Sequence, residues 1–168
     1  MGTTFETILR FLTEEELPFE LVDNELAFTL GINGRHGGWM CSGYVTDDET
    51  QFAFRSHLPV DVAEERREAV ALLLSMINYR LAAGAFAMDP RDGEVVFRTA
   101  AVSRDEPLPT AMIPPVIGLN LVMADHFLPA IAAVAFDEAD PGAALDAVDL
   151  ASLDVTPSMG EEESPDET

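Results

Sequence analysis

The chain has 168 residues, 48% of them apolar, enough for one packed core and too few for two full domains. Nine basic residues, all arginine, face 31 acidic ones for a net charge of −22, a field that repels phosphate backbones and anionic lipid headgroups. Nucleic acid and membrane surfaces are therefore disfavoured as partners, and Cys41, the only cysteine, leaves no intrachain disulfide or thiolate metal cluster and fits a reducing cytoplasm.

The charge is uneven. Residues 137–168 carry eleven acids and no base, leaving −11 for residues 1–136. Acid excess without lysine suits a salt-rich cytoplasm, and a GC-rich genome also favours arginine over lysine. The opening "MGTTFETILRFL" has no basic segment ahead of a long apolar run, so no signal peptide is expected. Glu6 stands where a myristoylation signal needs Ser or Thr.

Thr3 and Glu6 have the spacing of a capping box, and Phe5, Ile8, Leu9 and Leu12 recur at helical spacing, which predicts an amphipathic first helix. After Pro18 and "FELV", Leu26, Phe28, Leu30 and Ile32 alternate with smaller residues as a half-buried strand does. "WMCSGYVT" and "QFAFRSH" follow across short turns, and the three runs read as an antiparallel meander. One face of that sheet needs a cover.

The run 61–84 supplies a long helix, with Asp61 and Glu64 as a second capping box and Gly84 as a left-handed C-terminal cap. Val70, Leu73, Leu74, Ile77 and Leu81 form the stripe expected to lie on the sheet. Ala69, Leu72, Met76, Tyr79 and Ala83 form a second stripe almost opposite, which needs another helix or another subunit.

"AFAM" and "EVVFRTAAV" flank "DPRDG", where Pro90 presets φ, Asp92 bonds nearby backbone and Gly93 supplies positive φ; a hairpin results. An irregular connector then leads to an apolar helix over 114–136, opened by Pro114 or Pro115. Pro129 either kinks that helix or starts a new one capped by Asp125. The segment is nearly long enough to cross a bilayer, yet Asp125 and His126 at its middle favour a buried core helix. "PGAALDAVDLASL" has the pattern of a short helical arm, and the rest of 137–168 reads as a disordered acidic tail beyond a domain of residues 1–136.

The acids of "MDPRDGEVVFR" do not have the alternating ligand spacing of a calcium loop and read as a solvated turn. "GINGRHGG" joins two strands with no lysine after it, so it reads as a hairpin loop rather than a phosphate cradle. Arg35 and His36 at its tip are candidate ligand contacts. His36, His57 and His126 lack metal-pair spacing. Asp125 and His126, or the His36 loop, are the residues an enzyme would use. No serine sits in a nucleophile elbow, and Cys41 reads as a small core residue. No catalytic constellation assembles, and neither a cofactor nor a metal is expected.

Gly84 and Phe86 at the start of a strand, the Asp92-Gly93 turn, Arg98 after Val96 and Phe97, and Asp125 with Pro129 in a late helix form one pattern. It resembles the YbjN-type family of bacterial sensory transduction regulators, which shares its fold with type III secretion chaperones. The resemblance covers residues 1–136. It implies an α+β domain, a twisted antiparallel sheet flanked by helices in the order α-β-β-β-(β)-α-β-β-α, and a homodimer that binds another protein. It also implies dimerisation through the long helix, which makes Leu72, Met76, Tyr79 and Ala83 the expected interface with a second copy or a partner. The expected function is a non-enzymatic cytoplasmic adaptor or chaperone-like module whose partner is favoured if basic. The alternative is a small hydrolase or ligand-binding enzyme using an Asp/His pair.

Overall fold

The computed structural model describes residues 2–104 and 106–148. Its first helix, α1 (Thr4–Glu14), starts at a complete capping box, Glu6 N–H donating to Thr3 Oγ1 at 3.1 Å and Thr3 N–H to Glu6 Oε2 at 2.9 Å. Ile8 and Leu12, on one side of the helix, are fully buried. Strands β1 (Glu20–Leu21), β2 (Ala27–Asn33), β3 (Gly38–Val45) and β4 (Gln51–Asp61) follow, then α2 (Arg67–Arg80), the hairpin β5 (Ala85–Met88) and β6 (Glu94–Val102), and helices α3 (Ile113–Phe136) and α4 (Pro141–Asp146). The expected α+β order is present, and α4 lies within the run expected to form a short helical arm. All six strands pair antiparallel in the order β1-β2-β3-β4-β6-β5.

Strict alternation sorts each strand into two faces. Phe28, Leu30, Trp39, Cys41, Phe52, Phe54, Leu58, Val95 and Phe97 point inward and are buried. The rings of Phe28, Phe52 and Phe54 stand 6.3–6.4 Å apart, with Phe5 and Phe19 against Phe28. Full burial of such a side chain contributes about 1.5–3 kcal/mol. Cys41 belongs to this core; burial pushes its thiol above the ordinary value.

The main cover of the sheet is α3, which crosses β4 and β6. It is one continuous helix through Pro129, with Pro114 and Pro115 in its first turn. By length and composition alone, Thr110–Phe136 would suffice to cross a membrane, but half of its most apolar window is buried inside the fold. Asn120, fully buried, fixes its seat. Asn120 Nδ2 donates to the carbonyls of Phe54 and Phe97, each at 3.0 Å, and lies 3.1 Å from Thr99 Oγ1. Asn120 Oδ1 accepts from Ser56 Oγ at 2.6 Å, and Ser56 Oγ accepts from Trp39 Nε1 at 2.9 Å. Thr99 Oγ1 donates to the Val116 carbonyl at 2.7 Å. Ser56 and Thr99 are polar residues in the inward phase of β4 and β6, and the helix amide is what satisfies them.

α2 departs from expectation in extent and in placement. Asp61 ends β4 instead of capping a helix, a short 3₁₀ turn occupies Glu64–Arg66, and α2 has no side-chain N-cap. β4 runs on because its register against β6 shifts between His57 and Asp61, where Pro59 brings no N–H to the ladder. At the other end α2 stops at Arg80, so Ala83 lies outside it, and Gly84, with φ 75°, leads into β5 instead of capping the helix. Val70, Leu73, Leu74 and Ile77 are buried as the pattern requires, but α2 packs on α3, α4 and edge strand β5 rather than across the sheet. Asn78 closes that edge: its Oδ1 accepts the Phe86 N–H at 2.8 Å and its Nδ2 donates to the Phe86 carbonyl at 2.9 Å. The amide takes the place of a seventh strand, which blunts the edge for pairing with another chain.

Ala144 and Leu145 of α4 are buried, so packing extends past Phe136. Asp140 caps this helix through Ala143 N–H at 3.0 Å. Arg66 ties the region together, donating from Nε to the Val134 carbonyl at 2.9 Å and from Nη2 to Ala139 at 3.1 Å. Val134 lies in the last turn of α3, where carbonyls lack helical donors and a cation is favoured. The expected acidic tail beyond residue 148 lies outside the described residues.

"DPRDG" is a hairpin turn. Gly93 has φ 81°, and a Cβ there would stand 2.2 Å from the Val62 carbonyl oxygen, so both turn and packing exclude a side chain. Asp92 Oδ1 accepts from Glu94 N–H at 2.9 Å, and Asp89 from Arg91 through N–H, Nε and Nη2 at 2.7–3.1 Å. Those Arg91 hydrogen bonds hold the Asp89 carboxyl at about 2 against an ordinary 3.8.

Two outcomes are expected. Asn120→Ala leaves Ser56, Thr99 and two strand carbonyls with altered partners in a dry core and should cost about 2–4 kcal/mol in urea unfolding; a loss below half a kcal/mol would show that the network does not hold α3. Asp89 has a depressed folded pKa, so its stabilisation is present above its ordinary value and lost as pH falls through about 2. Melting of Asp89→Asn should therefore fall less steeply than wild type between about pH 4 and pH 2, and parallel curves would contradict this.

Candidate functional site

The loop between β2 and β3 folds back onto α3. An α-helical N–H at position 129 would bond the Asp125 carbonyl, and Pro129 has none. His36 occupies the vacancy: its Nδ1–H donates to the Asp125 carbonyl at 3.0 Å, and its backbone N–H donates to Asp125 Oδ1 at 2.9 Å. The ring nitrogen also lies 3.5 Å from Asp125 Oδ2. Gly34 permits this approach, since a Cβ there would stand 2.4 Å from Asp125 Oδ1 and 2.5 Å from the Trp39 ring. His36 is thus tied to the scaffold while remaining exposed at the loop tip, and Arg35 stands exposed beside it.

Of the residues named for an Asp/His pair, the structure brings Asp125 to His36. Asp125 turns its carboxylate to His36, while the His126 ring stands edge-on to Phe127 at 5.0 Å. The three histidines meet different partners, since His57 lies on the sheet with Ser42 and Glu94. Among the described residues, no group of three His, Cys, Asp or Glu side chains has metal-binding geometry.

The helices all pack on the inward face, so the other face of the sheet is open. Register arranges it in rows across the strands. Thr29, Ser42, Arg55, Arg98 and Ala85 form one row; Gly31, Met40, His57, Val96 and Ala87 lie on one side of it, and Ala27, Tyr44, Ala53 and Ala100 on the other. Met40 and Tyr44 are about half exposed, and Val102 one row further is 63% exposed. A shallow apolar depression of about 610 Å³ lies at one end, lined chiefly by Ile32, Trp39, Met40, His57 and Pro59.

Across these rows runs a hydrogen-bonded chain that the sequence does not reveal. His57 Nδ1 meets Glu94 Oε1 at 2.8 Å, and His57 Nε2 meets Ser42 Oγ at 2.9 Å. A carboxylate only accepts, so Nδ1–H donates to Glu94, and the neutral ring then accepts from the Ser42 hydroxyl. The order of groups is that of a nucleophile, base and orienting acid. Acyl transfer also needs donors aimed at the developing oxyanion, whereas β3 is paired on both sides and commits its backbone N–H groups around Ser42 to the ladders. Ser42, His57 and Glu94 thus link β3, β4 and β6 by side-chain hydrogen bonds across the open face.

The second stripe of α2 is divided. Met76 is half-buried and packed on the core beside α4, whereas Leu72 is 57% and Tyr79 92% exposed. Ala83 is exposed in the loop after the helix. Part of the face expected to need another helix or another subunit is thus covered by α4.

Comparison with known proteins agrees with this architecture. Residues 4–132 match the model of the YbjN family, described as "putative bacterial sensory transduction regulator". Among solved structures, YbjN from E. coli, a "putative transcription regulator", superposes with a TM-score of 0.54 at 15% identity, over 76% of this chain and 91% of that one. The ExsC–ExsE complex gives a TM-score of 0.52 at 12% identity, over 74% of this chain and 90% of the matched chain. At these identities the likeness is one of fold. No curated protein matches the sequence.

The tie between loop and helix predicts a coupling. His36→Ala should lose about 1 kcal/mol of stability in wild type. In a Pro129→Ala background, where a helical N–H satisfies Asp125, that loss should shrink to a few tenths of a kcal/mol. Equal losses in both backgrounds, measured by urea denaturation, would refute the role assigned to Pro129.

Proposed function

The chain belongs to the YbjN family, and from that premise we propose that it is an adaptor or chaperone-like regulator that binds another protein without catalysis, acting as a cytoplasmic homodimer. The observation that carries this reading is the one-sided sheet: helices cover one face, and the other presents Met40, Tyr44 and Val102 to solvent around polar residues. An open, partly apolar sheet face supports a role in docking another chain. The fold likeness to ExsC in its complex with ExsE supports a protein as the ligand.

Homodimerisation is assigned to the exposed part of α2, Leu72 and Tyr79, with Met76 contributing where α4 leaves it open. Two aliphatic or aromatic side chains this exposed on one helix face gain from burial against their own copy. The acidic exterior favours a partner that is basic overall, by steering its approach.

Light scattering of the full chain should give twice the monomer mass. Leu72→Glu with Tyr79→Glu should restore the monomer without changing the circular dichroism spectrum, because neither side chain belongs to the core. A monomeric wild type would sink the dimer, and a wild type that retains no discrete protein from lysate would count against the adaptor reading itself.

A further inference from the structure

Arg55 and Arg98 are direct cross-strand partners on β4 and β6, both exposed on the open face. Like charges placed opposite one another in a sheet are destabilising. Neither forms a hydrogen bond or ion pair among the described residues, in a chain with 31 acids to choose from. Other arginines are tied into the fold: Arg66 and Arg67 bond backbone carbonyls, and Arg91 pairs with Asp89. The pair is a local inversion of the molecule's charge.

Its surroundings define what fits. Ser42 and Ala85 continue the row on either side, and the flanking rows present Met40 and Val96 on one side and Tyr44, Ala53 and Ala100 on the other. Small side chains fill many of these register positions, and Met40, Val96 and Tyr44, with His57 between Met40 and Val96, stand in the neighbouring rows. Two adjacent guanidiniums present forked donors that match a carboxylate.

We propose that the open face binds an extended segment of a protein partner through Asp or Glu side chains seated on Arg55 and Arg98, with apolar residues of that segment on either side. The inference rests on the protein-binding reading above and names the face and the chemistry. It also limits the partner: a polyanion is repelled by the net charge of −22, so the acids are one or two within a segment of otherwise apolar or basic character. That charge disfavours nucleic acid for the same site.

The test selects peptides from a displayed library of random 12-residue sequences on the immobilised full chain. Selected peptides should be enriched in Asp or Glu flanked by apolar residues. Amidation of those acids, or Arg55→Ala with Arg98→Ala, should weaken binding about tenfold or more. Peptides that bind without acids and ignore both arginines would overturn this inference and leave the adaptor reading standing; a library from which nothing binds would overturn both. Displacement of a selected peptide by a single-stranded oligonucleotide at physiological salt would also overturn it. As a second measurement, Arg55→Glu should raise the thermal midpoint by converting repulsion into attraction while abolishing peptide binding. A lowered midpoint would assign the arginines to stability and overturn the proposal.

Discussion

The seating of α3 on the sheet rests on a buried amide whose partners span two strands and a second hydrogen-bonded layer. Asn120 meets the carbonyls of Phe54 and Phe97, Thr99 and Ser56, and through Ser56 it reaches Trp39. Apolar burial would let an all-round hydrophobic helix slide or rotate with little change in energy, since Leu, Val and Ile are interchangeable in such contacts. An amide in a dry core has few positions in which all its partners are met. The network therefore sets the axial position of α3, and the positions of Asp125 and Pro129 follow from it.

With that helix placed, the rest of the inward side is determined by what α3 leaves available. The β2–β3 loop reaches the carbonyl freed by Pro129, and Gly34 lets it come close. α2 and α4 pack on the same helix, and Arg66 satisfies carbonyls at and beyond its end. The described helices thus lie on one side of the sheet or at its β5 edge. The opposite face stays open, and Asn78 closes the β5 edge to strand addition.

Electrostatics divides along the same line. The acidic exterior acts at long range and governs which molecules approach, while the arginines act at contact distance. Those bonded to carbonyls or to Asp89 stabilise turns and helix ends. Arg55 and Arg98 stand opposite one another in the open sheet, a local cost from like charges.

Much of the fold was legible in the chain itself because its signals are local. The Thr3 capping box, the alternation in β2 to β4, the "DPRDG" turn and the buried stripe of α2 each depend on neighbours within one or two turns. The limits of α2 misled because Asp61 and Gly84 fit capping patterns, whereas the shifted β4–β6 register kept Asp61 in a strand and an early helix end put Gly84 beyond the cap. The half-covered stripe at Met76 and Tyr79 was visible as incomplete, but only packing could show that α4 takes part of it. A proline inside an apolar helix announces a freed carbonyl four residues earlier; that His36, 89 positions away, supplies the donor does not follow from spacing. The Ser42–His57–Glu94 chain and the Arg55–Arg98 pair were illegible for the same reason. His57 meeting Glu94, and Arg55 facing Arg98, depend on register between β4 and β6, which α2 and β5 separate in the chain, and a slip of one residue would send each side chain to the other face. Sequence alone determined which residues could lie inside, because burial follows period and polarity; tertiary structure decided which polar residues meet, because that requires the distances between elements.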